Sequence, residues 1–415
     1  MSEAAHIPAF SVIVASYQRP EWLQRCLTAL WQVDYPIFEI IVAADNSGLI
    51  ALSSHAVAAH CKTVRCDTAN IAATRNAGLA LAAGEFVAFI DDDSVPEPMW
   101  LRHHADALAR TGAVATVGYV RGRNGISFQS RAESVDSEAE THSEPSDNDK
   151  PFLPKLAAGR ALKLVGTNAV VRRDVLNSLG GFDTAFRYYL DDADLSIRLM
   201  QAGKTAAAAP LAEVHHAFAA SDRRTQLRRP SCIFDIGRST AIYLRRHPGA
   251  DHAEIFARTK LREANRLYGH MVRGTCEPRE VKKLLHDLKN GWEEGVSADL
   301  PRIPAISVSR VPDFRPIPAG PPGHRVLTSR LLHRKKRLAQ AEKIATNGDR
   351  VSHISFSLTP VRHHLRYLNS GVWSQTGGQF GRSVRSGPRI RWCRFAERVK
   401  EEIRRVEMQR GIDET

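Results

Sequence analysis

The sequence contains no uninterrupted apolar run long enough to cross a bilayer, so helical membrane spans are not expected. Its six cysteines are Cys26, Cys61, Cys66, Cys232, Cys276 and Cys393, and none stands in Cys-x-x-Cys spacing. Reduced thiols of a cytosolic protein are therefore expected, rather than a cysteine-held metal. The Gly-x-Gly-x-x-Gly turn is absent after the first apolar strand, which argues against a dinucleotide oxidoreductase. There is no solenoid-type internal repeat. Residues 1–9 lack the charged start and apolar core of a signal peptide, so the expected location is cytoplasmic.

With 415 residues, the chain exceeds one ordinary domain, and two domains or one with long appendages are expected. Lys and Arg outnumber Asp and Glu by 58 to 45, a net charge of +13. Such an excess favours an anionic partner: nucleic acid, anionic lipid or a phosphorylated substrate. No nucleic-acid motif accompanies it, so a nucleic-acid partner is not expected.

From residue 10 to 119, short apolar runs alternate with helical stretches. Strands are expected at 11–15, 39–43, 63–66 and 86–90, with helices at 21–31 and 72–83 and a turn at 45–48. That alternation implies an α/β fold with a mostly parallel sheet flanked by helices. Ligands of such sheets bind beyond the carboxyl ends of the strands, where Asp45 and Asp91 stand. Residues 131–150 are acidic, serine-rich and nearly devoid of apolar side chains, and are expected to be a disordered insertion or a mobile lid. A strand at 164–172, a turn at 180–183 and helices at 194–201, 234–247 and 393–409 follow. The expected division is a catalytic domain over 1–230, with a nucleotide-binding part at 10–119 and an acceptor-side part at 160–220. A helical extension over 231–300 and a basic, irregular region over 301–415 complete it.

Asp91-Asp92-Asp93 directly follows an apolar strand. Adjacent carboxylates repel one another, which favours recruiting a cation. Hard oxygen ligands suit Mg²⁺ or Mn²⁺, with phosphate oxygens completing the shell. The competing reading is a solvated acidic turn; the strand before the run, and Pro96 and Pro98 after it, weigh against that.

Several motifs, in order, resemble glycosyltransferase family 2 and its GT-A fold over roughly the first half of the chain. They are 11–19 (SVIVASYQR), 72–79 (AATRNAGL), 89–93 (FIDDD), 180–183 (GGFD) and Asp191-Asp192-Ala193-Asp194-Leu195 with Arg198. The resemblance implies an inverting, metal-dependent transfer from a nucleotide-diphosphate sugar, a UDP-sugar, to a hydroxyl acceptor. It implies that Ser16, Arg19, Asp45, Arg75, Asp91 and Asp92 serve the nucleotide donor, with Asp45 at the base and Asp91 at the ribose. Asp93 and Asp91 would hold Mn²⁺ or Mg²⁺, joined by His215. Gly181, Phe182, Asp191 and Asp194 would face the acceptor, and Asp192 would be the general base. The competing reading of Asp191, Asp192 and Asp194 is that they cap a helix. Asp92 is expected to tolerate substitution best of the three.

The implied partners are a nucleotide sugar and a saccharide or lipid-linked acceptor of bacterial cell-surface polysaccharide or glycolipid synthesis. The basic helix at 234–247 and the cluster at 330–337 are candidates for peripheral contact with an anionic membrane. Residues 373–383, glycine-rich and polar, read as a loop, either structural or closing over the diphosphate with Arg382. The alternatives are a non-catalytic sugar-nucleotide-binding family member, a basic nucleic-acid-binding protein and, more weakly, a hydrolase with paired carboxylates.

Overall fold

In the computed structural model, the described residues are 6–413 apart from 145, 147, 308, 309, 319, 321 and 322. The chain begins with strand Phe10–Ser16 (β1), buried at every position, as a strand covered on both faces must be. Helix Pro20–Trp31 (α1) follows, started by proline at its first position. Strand Phe38–Ala44 (β2) is also wholly buried. The expected turn after it is instead helix Asn46–Ser53 (α2), because the Asp45 side chain accepts from the Ser47 and Gly48 N–H groups and caps it. Strand Cys61–Arg65 (β3), helix Ile71–Leu79 (α3) and strand Phe86–Asp91 (β4) complete this half.

Next come strand Ser94–Pro96 (β5), helix Trp100–Thr111 (α4) and strands Ala115–Arg121 (β6) and Phe128–Ser130 (β7). Strands Glu133–Val135 (β8), Thr141–Ser143 (β9), Ala161–Leu162 (β10) and Ala169–Arg172 (β11) follow. Helices Arg173–Ser178 (α5) and Asp191–Gln201 (α6) precede the long strand Ala206–His216 (β12). The central sheet runs β3-β2-β1-β4-β11-β6-β12-β5, with β7 on β6. β1 is parallel to β2 and β4, and β12 to β6, while β11 and β5 are antiparallel insertions. Ser16 pairs with Ala44 and Ala15 with Asp91, so the ends of β1, β2 and β4 share one edge. That edge carries the site.

The acidic stretch expected to be disordered is ordered wherever it is described; residues 145 and 147 lie outside the described residues. β8, β9 and β10 form a three-stranded sheet. Its few apolar side chains suffice because they are shared: Val135 is buried against α6, and the Asp136 carbonyl accepts from the Tyr243 hydroxyl at 2.7 Å. The strand expected at 164–172 shortens to β11, its first half becoming a loop around Gly166 and Thr167.

Helices Phe234–Arg246 (α7), His252–Val272 (α8) and Pro278–Ser297 (α9) pack together. α7 is buried from Gly237 to Leu244, so the lipid-facing role considered for it is corrected: its apolar side meets protein. The region expected to be irregular after residue 301 instead folds around a second sheet. It contains strand His324–Arg330 (β13), helix Arg334–Thr346 (α10) and strands Arg350–Ser357 (β14), His364–Tyr367 (β15) and Val372–Gly378 (β16). Helices Phe395–Arg404 (α11) and Glu407–Arg410 (α12) end it. The sheet order is β13-β14-β16-β15. Of the glycine-rich stretch read as a loop over 373–383, residues 373–378 are instead part of a central strand, while 379–383 form a turn beyond it, and a Cβ at Gly378 would lie 1.9 Å from the Thr359 carbonyl. Among the described residues, no helix is long and apolar enough to cross a membrane.

Candidate active site

Asp91 is the last residue of β4 and His216 the last of β12. β5 pairs antiparallel with β12, Ser94 opposite His216, and so brings Asp93 beside that histidine. Asp91, Asp93 and His216 each offer a ligand atom, and these atoms all lie within 4.8 Å of one another. Asp93 is buried and accepts from the Ala219 N–H at 2.7 Å, with Arg19 Nη1 at 3.3 Å. Burial pushes its carboxyl up, but His216, Arg19 and the Ala219 N–H outweigh that and hold it well below the usual carboxylate range.

His216 Nδ1 lies 3.1 Å from Gln129 Oε1, and Phe218 stacks on its ring at 4.2 Å. His216 Nε2 lies 3.2 Å from Asp93 Oδ1. Protonated, it donates to that carboxylate; with its proton on Nδ1 facing Gln129, Nε2 and Oδ1 are two acceptors that a cation can bridge. Two carboxylates and an imidazole, its outer N–H engaged, fit a divalent cation of the Mn²⁺ or Mg²⁺ kind.

Asp192 lines the same crevice, a cavity of about 650 Å³ that also includes Asp91, Asp93 and His216. Its Oδ2 accepts from the Gly166 N–H at 3.1 Å. Arg75 joins the two groups of acids, donating Nη2 to Asp91 Oδ1 at 3.0 Å and Nη1 to Asp191 Oδ2. Gly166 is glycine for a steric reason, since a Cβ there would stand 2.3 Å from the Arg75 guanidinium. Burial pushes the Asp191 carboxyl up to about 7, with Arg75 opposing the rise. Arg19, Lys163, Arg187, Arg223, Arg224 and Arg266 also line the crevice, interleaved with Glu133, Asp222 and Glu263, so guanidinium groups stand beside the acids without a net excess of positive charge.

Backbone strain concentrates here too. Of six non-glycine residues with left-handed φ among those described, Gln18, Ala139, Tyr189, Leu190 and Phe218 line this crevice. Such conformations persist where the surrounding structure enforces them, and they cluster at functional sites.

Residues 11–180 match the family model described as Glycosyl transferase family 2. This part of the chain belongs to glycosyl transferase family 2. The chain is 30% identical over 226 residues to the Pre-mycofactocin glycosyltransferase of Mycobacterium tuberculosis, covering 52% of this chain and 43% of that one. It is 29% identical over 226 residues to the Succinoglycan biosynthesis protein ExoM of Rhizobium meliloti, covering 52% and 67%. It is 27% identical over 232 residues to the O-antigen biosynthesis protein RfbC of Myxococcus xanthus, covering 50% and 17%. The chain therefore spans less than half the length of the first and third of these relatives. Two solved structures are distant likenesses. They are S. aureus TarS (TM-score 0.42, 16% identity, 69% of this chain and 54% of that one) and GalNAc-T7 with UDP, GalNAc and Mn²⁺ (0.46, 13%, 71% and 57%).

Within this family 2 domain, several expected site residues stand elsewhere than foreseen. His215 is not in the Asp91–Asp93–His216 group; it stands with Glu97 and Glu213 in a second one. Strand alternation turns it to the opposite face, where Nε2 meets Glu97 Oε1 at 2.8 Å and the ring packs on Trp373; His216 takes the expected place. Asp92 is fully buried and does not line the crevice. It accepts from Ser16 Oγ at 2.8 Å and Arg19 Nε at 3.1 Å, so it positions those two side chains rather than touching a donor. Burial pushes its carboxyl up to about 7, against the pull of Arg19. Those buried partners make it a poor candidate for the most replaceable member of the run. Asp45 caps α2 and accepts from the Gln18 N–H at 3.1 Å, shaping the turn that reaches the crevice.

Gly181, Phe182 and Asp194 do not line the crevice either. The Phe182 peptide groups make a two-way pair with the Asn76 amide, at 2.7 and 2.8 Å, and the ring lies under Arg75. Gly181 has φ +69, and a Cβ there would sit 2.5 Å from Asn76 Oδ1. Asp194 is buried between Arg198 and His247. These residues support α3 and α6, from which Arg75 and Asp192 project. Gln129, Gly166 and Arg224 were not foreseen, and no linear spacing marks them.

Proposed function

We propose that the chain is an inverting glycosyltransferase that moves a sugar from a nucleotide-diphosphate donor, a UDP-sugar, to a hydroxyl of a saccharide or lipid-linked acceptor. The setting is bacterial cell-surface polysaccharide or glycolipid synthesis, in keeping with the names of the relatives above. The observation that carries the reading is the convergence of Asp91, Asp93 and His216 on one point of an arginine-lined crevice, with Asp192 on a neighbouring wall.

Asp91, Asp93 and His216 would hold a Mn²⁺ or Mg²⁺ ion, which as a Lewis acid supplies charge neutralisation on the departing diphosphate. Arg19 and Arg224, both at the Asp93 end, add guanidinium groups suited to phosphate oxygens. Asp91 reaches the ribose, and the Gln18 turn held by Asp45 borders the base. Asp192 accepts the proton of the acceptor hydroxyl as its oxygen bonds to the anomeric carbon and the diphosphate leaves from the opposite face. The Gly166 N–H holds that carboxylate in place. A general base of this kind contributes roughly 10²–10⁴ in rate.

The test is release of nucleoside diphosphate from a panel of UDP-, GDP- and dTDP-sugars with Mn²⁺ or Mg²⁺, with and without saccharide acceptors. Turnover that depends on the added cation and is lost in Asp93→Asn and Asp192→Asn is expected. Wild-type turnover in both variants would sink the mechanism. Donor binding without turnover across the panel would favour the non-catalytic reading.

A further inference from the structure

In the second sheet, β13, β14 and β16 run parallel, with Arg330 opposite Phe356 and Ser357 opposite Gly378. Their carboxyl ends therefore lie along one edge, and three connections leave from it. The first presents Leu331 and Leu332, 59% and 93% exposed. The second presents Leu358 and Val361, 68% and 57% exposed. The third folds back so that the Arg391 N–H donates to the Phe380 carbonyl at 3.0 Å, and it presents Ile390 and Trp392, the latter 80% exposed and packed on Phe380. Six large apolar side chains on one edge are more than scattered surface hydrophobics account for.

The charge of the same edge is mostly positive, although Glu401 pairs with Arg391 in the third connection. Exposed Arg334, Lys335, Lys336 and Arg337 open α10, and exposed Arg362 and Arg389 stand in the other two connections. None of these six makes an ion pair with any described residue. No Asp or Glu occurs between Asp349 and Glu397, a span that includes two of the three connections. Four adjacent cations at a helix N-terminus also oppose the helix dipole, an arrangement that propensity does not favour. An anionic partner relieves it.

We propose that this edge is a docking surface for an anionic lipid bilayer, with Leu332, Leu358 and Trp392 entering the headgroup layer and the lysines and arginines facing lipid phosphates. Isolated aliphatic side chains gain by entering a bilayer interface, and tryptophan favours that depth. A nucleic-acid surface would use the cations and the tryptophan but leave the leucines and Val361 without a role. The surface lies outside the crevice and does not depend on the catalytic reading. It gives the expected membrane contact a location other than α7, and would hold the enzyme where lipid-linked acceptors are.

The test is co-sedimentation of the full chain with vesicles of phosphatidylcholine alone and of phosphatidylcholine mixed with phosphatidylglycerol. Binding to the anionic vesicles, weakened at high salt and absent with pure phosphatidylcholine, is expected. Lys335→Glu/Lys336→Glu should weaken it at least about tenfold, since each cation near such a surface counts for roughly fivefold. Leu332→Ser/Trp392→Ser should weaken it at unchanged salt dependence. All four positions are exposed, so unchanged melting temperatures are expected and provide the folding control. Equal binding of wild type and both variants overturns the proposal. So does binding to a random DNA duplex at physiological salt with no vesicle binding. Neither result bears on nucleotide-sugar turnover, which is measured without vesicles.

Discussion

Arg410, near the end of the described chain, meets Glu97 through two hydrogen bonds, Nε to Oε2 at 2.9 Å and Nη2 to Oε1 at 3.0 Å. Both side chains are about 1% exposed, and Glu97 also pairs with His215. Glu97 follows β5 and His215 lies on β12, the two strands that bring Asp93 and His216 together. Arg410 also donates to Ser352 of β14, so the second sheet is pinned behind the Asp91–Asp93–His216 group.

Breaking that pair leaves a buried carboxylate with less compensation. Arg410→Ala is expected to cost about 3–5 kcal/mol, the usual penalty for removing one partner of a buried pair. Urea unfolding checks this, and a midpoint equal to that of the wild type would contradict it. Arg410→Lys should recover only part, because a single ammonium cannot make the paired geometry.

The two adjacent histidines should separate cleanly. His216→Asn is expected to raise the Mn²⁺ concentration needed for half-maximal turnover by roughly 10–100-fold, with a small change in melting temperature. His215→Asn is expected to lower the melting temperature and leave the Mn²⁺ dependence near wild type. A titration of turnover against Mn²⁺ in both variants decides it, and the reverse pattern would put His215 in the site.

Asp192 and Asp194 stand two residues apart and should fail differently. Asp192→Asn is expected to lower kcat by roughly 10²–10⁴ with nearly unchanged stability, since its carboxylate faces the crevice. Asp194→Asn removes charge between Arg198 and His247 and should mainly reduce stability. Comparing kcat with thermal unfolding for the two variants tests the division.

His104 provides a pH prediction. Burial pushes its imidazole down to about 3, and its ring nitrogens lie within hydrogen-bond distance of Thr116 Oγ1 and Asn168 Oδ1. In the unfolded chain it titrates near 6.5. Its contribution is therefore complete above 6.5, and between 6.5 and about 3 only the unfolded chain takes up the proton. That contribution is lost as pH falls through this window. Between pH 5 and 6, unfolding of His104→Gln should take up about one proton fewer than that of wild type. Stability curves with the same pH slope in both proteins would show that His104 is not neutral in the fold.

Much of the first half was legible along the chain because its evidence is local. Continuous apolar runs for β1, β2 and β4, and the acids directly after β4, identify a parallel sheet and the edge where its site lies. What Asp92 does was not legible: its partners, Ser16 and Arg19, lie more than 70 residues away, and their burial together exists only in the folded sheet. The choice between His215 and His216 turned on the register of β5 against β12, which no spacing records.

The region after residue 301 was the least legible. β14 reads Arg-Val-Ser-His-Ile-Ser-Phe-Ser, too polar to announce a central strand, yet nearly all of it is buried. Its polar side chains are accepted because they find partners, as His353 does in Ser329 and Ser352 in Arg410. The sequence by itself determined the α/β alternation, the acidic edge and the excess of positive charge, all consequences of neighbouring residues. Only the tertiary structure decided which histidine joins the acids, that the basic tail is a folded sheet, and that its exposed leucines and tryptophan share an edge with the cations. Those outcomes depend on which buried polar groups meet across hundreds of residues, and a buried group is tolerated only where its partner arrives.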